Sequence, residues 1–367
     1  MRWRDWPRPV LSGWRASMNP VANQPGINQT GLNQTGISQA GTNPAGTNQA
    51  GPINQYGWRG QPSQQRHYDD FVVVLTGGAA VECLACAPDE TSDVILERAL
   101  RRYNPNARVV TLGSTGYGQD QQYLALHEYF AREHADLVID WAFPAPDVPA
   151  NTFRSGPEQP GKLALKPTFA YVNNDILGPT EMIGWPIYST KLSTLLRPLL
   201  IDVDRNWTIL LPQPDPGASS PPAGVQPREH VDEPLEQQRG EWSIWLTPRP
   251  ARVSYGIDLT RALFRHMREL SQLRGSRFVV LLTPSPADAQ TETPVALEHA
   301  GHWFVADPAA RDAAIAQMTE GYDPITLPPD GTRDAPPEAE RRIMARLAEA
   351  LQRRDLLTPP PIVRQRH

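Results

Sequence analysis

Both cysteines of the 367-residue chain lie in one C-x-x-C motif, Cys83-Leu-Ala-Cys86. This spacing suits a redox pair, a local disulfide or half of a zinc site. A zinc site needs a second half, and the sequence has no second cysteine pair and no H-x₃₋₅-H at finger spacing. Its one close histidine pair is His299-Ala-Gly-His302. The favoured interpretation is two small buried or loop residues, and a local disulfide is the next alternative.

The cysteines follow a segment that predicts a buried strand with a sharp exit. Phe71-Val-Val-Val-Leu75 is apolar throughout, as in a strand buried on both faces, and Thr76-Gly-Gly78 supplies backbone freedom for a tight turn. Asp89-Glu-Thr-Ser92 then precedes apolar positions at helical spacing. The sequence also predicts strands at 108–112, 136–140 and 278–282, a helix over 257–270, and a final helix with Ile343, Leu347 and Leu351 on one face.

This alternation of strands and helices predicts an α/β fold, a three-layer α/β/α sandwich with a mainly parallel, flavodoxin-like sheet. Ligands of such sheets bind at the carboxyl ends of the strands. His127 and His134 are predicted on a helix after the second strand, as surface or edge residues.

Three blocks of the chain resemble the SGNH (GDSL-type) hydrolases. Thr76-Gly-Gly-Ala-Ala-Val81, followed by Asp89-Glu-Thr91, is similar to the family's L-G-G/D-S-A and D-E-T. The segment 109–122, V-V-T-L-G-S-T-G-Y-G-Q-D-Q-Q, resembles V-I-N-x-G-x-x-G-Y-x-x-x-Q. The segment 136–151, D-L-V-I-D-W-A-F-P-A-P-D-V-P-A-N, resembles D-L-V-V-x-x-x-F-x-G-N-D-V-T-D-N. The resemblance covers roughly residues 70 to 355 and implies an SGNH hydrolase-like fold.

The resemblance implies ester hydrolysis, but several of the family's catalytic positions are altered in this chain. Ala79 occupies the position of the catalytic serine, and Gly113 keeps the glycine of the oxyanion hole. Pro146 replaces the oxyanion asparagine, while Asp147 and Asn151 keep their places.

The family's last block, D-x-H, has two registers here. Counted from the preceding strand, it falls on Asp330 and Thr332; counted back from the final helix, it falls on Thr332 and Asp334. Neither register supplies a histidine. An acyl-transfer triad needs a nucleophile, an imidazole base and an orienting carboxylate, and loss of one member costs about 10⁴ to 10⁶ in turnover. Losing the side-chain donor of the oxyanion hole costs roughly another 10² to 10³.

We therefore expect a pseudoenzyme that keeps a pocket for an acyl ester or a glycan and uses no cofactor or metal. The resemblance implies that this pocket is lined by Gly77, Gly78, Ala79, Gly113, Ser114, Pro146, Asp147 and Thr332. The alternative is an ester hydrolase or O-acyltransferase with a rearranged centre, in which Cys83 or Ser114 is the nucleophile and a histidine is the base.

Residues 1–66 are predicted to form a disordered arm. From Gly26 the chain repeats with a period of five residues, and Gly, Asn and Gln dominate the repeats, so they cannot supply a packed core. A self-associating arm is the alternative. The predicted domain spans 67–355, with a Pro-rich insertion at about 211–240 that is a loop or a lid, and 356–367 form a tail.

Composition limits the partners and the compartment. A net charge of -5 gives no electrostatic case for nucleic acid. No apolar run reaches about 18 residues, so the sequence predicts no transmembrane segment. No secretory signal is recognisable at the basic N-terminus, so the cytoplasm is the default expectation, and an exported location would follow if the start site were wrong. The sequence leaves the oligomeric state open.

Overall fold

A computed structural model describes the protein at residues 52–61, 67, 69–152, 169–179, 226–227, 243–247, 249, 251–283, 294–299, 302–327 and 336–358. The arm before residue 52, most of the Pro-rich insertion, and Asp330, Thr332 and Asp334 lie outside these residues. Predictions about those parts remain predictions.

The helices and strands largely follow the predicted pattern. In chain order they are β1 (Phe71–Gly77), α1 (Ala79–Glu82), α2 (Ser92–Leu100), β2 (Ala107–Gly113), α3 (Gln119–Phe130), β3 (Leu137–Ala142), α4 (Pro144–Thr152), β4 (Ala170–Val172), β5 (Asp175–Leu177), β6 (Gln226–Pro227), β7 (Leu246–Thr247), α5 (Ala251–Leu273), β8 (Arg277–Leu282), β9 (Val295–His299), β10 (His302–Ala306), α6 (Pro308–Met318), β11 (Ile325–Thr326) and α7 (Pro336–Arg353).

Five strands form a parallel sheet in the order β11-β8-β3-β1-β2. Counted along the chain within this sheet, the order is 2-1-3-4-5, as in flavodoxin-like folds. The prediction of an α/β fold with a parallel central sheet is confirmed. Because the strand order reverses direction at β1, the crevice between the carboxyl ends of β1 and β3 is where such folds bind ligands.

Strand β1 is buried on both faces because helices cover the sheet on each side. Alternate residues of a strand point to opposite faces, so its side chains divide between two cores. One core includes Phe71, Val73 and Leu75 with Leu96 of α2 and Leu347 of α7. The other includes Val72 and Val74 with Leu126 of α3 and Met267 of α5.

Two smaller sheets flank this sandwich. Strands β6, β9, β10 and β7 form a four-stranded sheet in that order. Strands β4 and β5 form an antiparallel hairpin that contacts α5. Neither sheet was predicted from the sequence.

Residues 52–61, which the sequence assigned to the arm, pack against the domain. Trp58 joins the core beside α3, and Arg59 is only 5% exposed. The Nδ2 of Asn54 donates to the carbonyl of Thr111 over 2.9 Å, and the Thr111 hydroxyl donates to the carbonyl of Arg59 over 2.7 Å. The pentapeptide repeats that predict disorder end before this segment, so the packed region begins earlier than the predicted boundary at residue 67.

Two further details differ from the sequence prediction. Helix α3 ends at Phe130, so His134 lies in the loop before β3, where its Nε2 is 3.7 Å from Oδ1 of Asp136. Leu357 is buried in the core, so the packed chain extends past the predicted boundary at residue 355.

Among the described helices, none combines the length and the apolar character needed to cross a membrane.

The close approach of β1 and β2 at their carboxyl ends predicts a strict requirement for glycine. A Cβ added at Gly113 would lie 2.6 Å from the carbonyl oxygen of Gly77 and 2.7 Å from the Val81 side chain. We expect Gly113→Ala to lower the free energy of unfolding by about 1–3 kcal/mol, because the opposing backbone must move. Urea denaturation measures the change.

The matched control is Gly78→Ala. Its added Cβ would meet its nearest neighbour, the carbonyl oxygen of Tyr117, at an ordinary 3.4 Å, so the cost should stay within about 0.5 kcal/mol. Equal losses in the two variants would contradict the assigned register.

Candidate functional site

The glycines of the first two matched blocks are neighbours at the carboxyl edge of the central sheet. Gly77 is the register partner of Gly113 on one side and of Trp141 on the other. The ends of β1, β2 and β3 therefore lie side by side, as the resemblance requires. Ser114 follows Gly113 at this edge and is half-buried.

Ala79 and Pro146 lie in the first turns of helices that leave this edge. Ala79 is the first residue of α1, directly after Gly78, and is exposed. Pro146 is exposed in the first turn of α4, which follows β3. The structure thus brings the family's serine position and asparagine position to the same edge of the sheet. Thr332 and its neighbours Asp330 and Asp334 are not among the described residues.

Neither alternative nucleophile has a histidine base among the described residues. The sulfur of Cys83 is bonded to that of Cys86. No imidazole of the described chain lies within hydrogen-bonding distance of the Ser114 hydroxyl. His266 instead pairs with Asp175 over 2.6 Å, and burial, helped by the charge of Arg274, lowers the pKa of His127 to about 4.

Hydrogen bonds join the segments 109–122 and 136–151 to each other. Asn151 of α4 donates from Nδ2 to Oε1 of Gln119 over 2.6 Å and to the Thr260 hydroxyl over 2.8 Å. Its Oδ1 accepts from the backbone N–H of Asp120 at 3.2 Å. The Nε2 of Gln119 donates to Oδ2 of Asp147 over 2.6 Å. All five of these side chains are buried, and through these hydrogen bonds Asp147 and Asn151 hold α3 against α4 and α5.

A buried carboxyl group lies beneath this network. Asp140 of β3 is fully buried, and its Oδ1 is 3.5 Å from the hydroxyl of Thr76, which donates to Oε1 of Gln122 over 2.9 Å. Burial, reinforced by the charge of Asp147, raises the pKa of Asp140 well above its ordinary value, and the contact with Thr76 only partly opposes this. Burial therefore favours the neutral form of Asp140.

A second cluster lies one helical turn from Ala79 and joins the C-x-x-C motif to the last helix. Cys83 ends α1, and its backbone N–H donates to the carbonyl of Ala79 over 2.9 Å. Oε2 of Glu340, from α7, lies 2.7 Å from the sulfur of Cys83 and 3.2 Å from that of Cys86. The other carboxyl oxygen of Glu340 is hydrogen-bonded to the Ser92 hydroxyl.

Burial sets the protonation of this cluster. It raises the pKa of Glu340 from 4.5 to about 7, while the Ser92 contact and the charge of Arg59 oppose the rise and the charge of Asp93 adds to it. Arg59 donates from Nη2 to the carbonyl of Cys86 over 2.5 Å. The two cysteines are buried, as in the favoured interpretation, and they also form the local disulfide that was its alternative, packed against a carboxyl group.

A cavity of about 220 Å³ is lined by residues that belong to neither cluster. It is lined in part by Tyr171, Arg261, Arg265, Arg268 and Tyr322. The cations are already occupied: Arg261 pairs with a glutamate, Arg265 with an aspartate, and Arg268 stacks on Tyr322 at 4.4 Å. This cavity is unrelated to the positions that the sequence singled out.

The sequence analysis missed Glu340, Arg59 and Ser92. Glu340 carried one local signal, since it precedes Ile343, Met344 and Leu347 at spacings of three, four and seven residues, and an acidic residue in an apolar helical stripe is unusual. Arg59 lies in a segment that its composition assigned to the arm. The link between Asn151, Gln119 and Thr260 had no sequence signal.

Comparisons with known proteins do not assign the chain to a family. No family model matches the chain, and no curated protein matches it. One crystal structure is similar at a TM-score of 0.32 with 12% sequence identity, over 77% of this chain and 97% of the other. A likeness this weak carries no argument about function.

Replacing Asn151 tests how much this hydrogen-bond network contributes to the free energy of unfolding. We expect Asn151→Ala to lower the free energy of unfolding by about 2–4 kcal/mol, because it removes buried hydrogen bonds to the Gln119 side-chain oxygen, the Asp120 N–H and the Thr260 hydroxyl. Chemical denaturation at pH 7 measures this, and Asn106→Ala, at an exposed asparagine, should cost at most about 0.5 kcal/mol. A loss below about 1 kcal/mol for Asn151→Ala would contradict the assigned hydrogen bonds.

Glu340 should make stability depend on pH. Its pKa is higher in the folded chain than in the unfolded chain, so the stability that it contributes is complete below about pH 4.5 and is lost as pH rises through about 7. At about 1.4 kcal/mol per pKa unit, the loss is on the order of 3 kcal/mol. Glu340→Gln should remove this dependence, which denaturation at a series of pH values detects.

Glu349→Gln is the control for that experiment, because Glu349 is exposed on the same helix. It should keep the wild-type profile. A wild-type profile that is flat between pH 5 and 8 relative to Glu340→Gln would contradict the buried position of Glu340.

Proposed function

We propose that this protein is a degenerate SGNH hydrolase-like protein that binds an acyl ester or a glycan at the carboxyl edge of its sheet without hydrolysing it. The observation that carries the proposal is the meeting of three matched blocks at one edge. Gly77 and Gly113 are register partners there, and Ala79 is exposed beside them where the family has its serine.

The topology supports a ligand at this edge. The strand order reverses direction at β1, and α/β sheets of this type bind ligands in the crevice that forms at such a point. Both Ala79, after β1, and Pro146, after β3, flank that crevice.

The hydrogen bonds between the blocks support a retained scaffold. Gln119, Asp147 and Asn151 bury polar groups that are costly unless each is satisfied. A network kept beside a serine position that now carries alanine is expected for a protein that still needs the shape of the pocket. It is not expected for one that has lost the whole site.

The alternative is hydrolysis or O-acyl transfer through a rearranged centre. The Ala79 methyl group cannot act as a nucleophile, and Cys83 is held in a disulfide. Ser114 remains as the nucleophile of that alternative, so it is the residue to test.

The test combines an activity assay with a binding assay on the full chain. We expect no hydrolysis of p-nitrophenyl butyrate above that of an unrelated control protein. We expect binding of acetylated xylotetraose, a probe with both an ester and a glycan, in ligand-observed NMR. Ala79→Trp should weaken this binding at least about tenfold, because the indole occupies the crevice.

Ala131→Trp is the matched control, since Ala131 is an exposed alanine at the far end of α3. It should bind as the wild type does. Unmodified xylotetraose separates recognition of the glycan from recognition of the ester. Equal binding by Ala79→Trp would contradict the placement of the pocket, and saturable hydrolysis abolished by Ser114→Ala would favour the rearranged enzyme.

A further inference from the structure

We propose that Cys83 and Cys86 form a redox-active dithiol–disulfide centre in which Glu340 exchanges a proton with the sulfur atoms. Its substrate class is a dithiol, which the centre oxidises, or the corresponding disulfide in the reverse direction. This centre uses residues other than the proposed ester or glycan pocket, so it stands or falls independently of that proposal.

The geometry places one carboxyl oxygen within reach of both sulfurs. Oε2 of Glu340 lies 2.7 Å from Sγ of Cys83 and 3.2 Å from Sγ of Cys86. Thiol–disulfide exchange expels one sulfur as a thiolate, and a nearby acid that protonates it assists the exchange. Because a single atom contacts both sulfurs, Glu340 can protonate whichever sulfur leaves.

The neighbouring hydroxyl indicates that Glu340 carries the needed proton. Oγ of Ser92 is within hydrogen-bonding distance of the Ala80 carbonyl, at 2.9 Å, and of Oε1 of Glu340. A hydroxyl has one proton and can donate to only one of these oxygens. Both contacts are satisfied if Glu340 is protonated on Oε1 and donates to Ser92 while Ser92 donates to Ala80; rotation of the carboxyl group then presents this proton to the sulfurs.

The surrounding charges fit a carboxyl group that changes its protonation near neutral pH. Burial raises the pKa of Glu340 to about 7. The charged groups that face it are Arg59, from the segment 52–61, and Asp93, from α2, and their effects on this pKa are opposite in sign. The group is therefore a proton donor below pH 7 and a proton acceptor above it.

The exchange conserves both protons and electrons. A thiolate of the external dithiol attacks one sulfur of the Cys83–Cys86 bond, forming a mixed disulfide, and the other cysteine leaves as a thiolate that takes the Glu340 proton. The second thiolate of the reductant then attacks the mixed disulfide and releases the remaining cysteine. Two protons lost by the reductant restore Glu340 and protonate that cysteine. Two electrons pass from the dithiol to the protein disulfide.

Access to the sulfurs comes through the C-x-x-C turn. The sulfur-bearing residues are only 6% and 3% exposed, but Leu84 between them is 62% exposed and Ala85 is exposed too. The turn is closed by the bond from the Cys86 N–H to the Cys83 carbonyl, at 2.9 Å, and Cys83 ends a helix of four residues. Local opening of this short turn admits a reductant without unfolding the sheet.

The test measures how fast dithiothreitol reduces the disulfide of the full chain between pH 5.5 and 8.5. Samples are quenched by alkylation, and intact mass counts the free thiols. The observed reduction rate is divided by the concentration of dithiothreitol thiolate at each pH. For the wild type, this normalised rate should fall about tenfold as pH rises through about 7. Glu340→Gln should remove this step and be about tenfold slower than the wild type at pH 6.

Glu349→Gln, exposed on the same helix, should match the wild type at every pH. Tryptophan fluorescence recorded in parallel checks that the chain stays folded while it is reduced. If Glu340→Gln does not fold, the wild-type profile and Ser92→Ala, which should shift the step, still test the proposal. Repeating the measurement with reduced thioredoxin in place of dithiothreitol shows whether the centre reacts with a protein dithiol as well as with a small-molecule dithiol.

Three results would overturn the proposal. The first is a normalised rate that does not depend on pH and is the same in Glu340→Gln. The second is reduction only when the chain unfolds, which would make the disulfide purely structural. The third is reduced protein that binds one Zn²⁺ through the same residues and exchanges no thiols, which would make the cluster a metal site.

Discussion

The burial of β1 on both faces is the constraint on which the rest of the structure depends. A strand without a solvent face must lie inside a parallel sheet covered by helices, and every connection then leaves from the same edge. The close contact of Gly77 with Gly113 follows from the packing of β1 on β2. Both candidate centres lie where the chain leaves this edge.

Three buried carboxyl groups at this edge show two solutions to the cost of burying charge. Asp147 accepts from Gln119 and from the Phe143 backbone N–H over 2.8 Å, so its charge is met by donors. Asp140 and Glu340 have too few donors, and burial raises the pKa of each. Hydrogen bonding favours the charged form of a carboxyl group and desolvation favours the neutral form, so the two effects act in opposite directions on buried acids.

The short helix α1 connects the two centres. It begins at Ala79, where the sequence resemblance to SGNH hydrolases places their serine, and it is capped by Cys83, whose N–H donates to the Ala79 carbonyl. Ser92 ties the same turn to Glu340 through the Ala80 carbonyl. One helical turn is thus held by the disulfide cluster at one end and by the paired glycines at the other. The resemblance to SGNH hydrolases concerns the glycine end, whereas the cysteine cluster is a separate feature of this chain.

Local patterns in the sequence determined the elements. The run of 71–75 predicted a strand, the spacing of Ile343, Leu347 and Leu351 predicted α7, and the alternation of such segments predicted a parallel α/β sheet, because periodicity and turn residues act between neighbours along the chain. Only the tertiary structure decided that Glu340 contacts Cys83, that Asn151 contacts Gln119 and Thr260, and that Arg59 packs against the domain. These partners lie far apart in the sequence. They meet because of the order of strands in the sheet and the faces on which helices pack, and no local pattern carries that information.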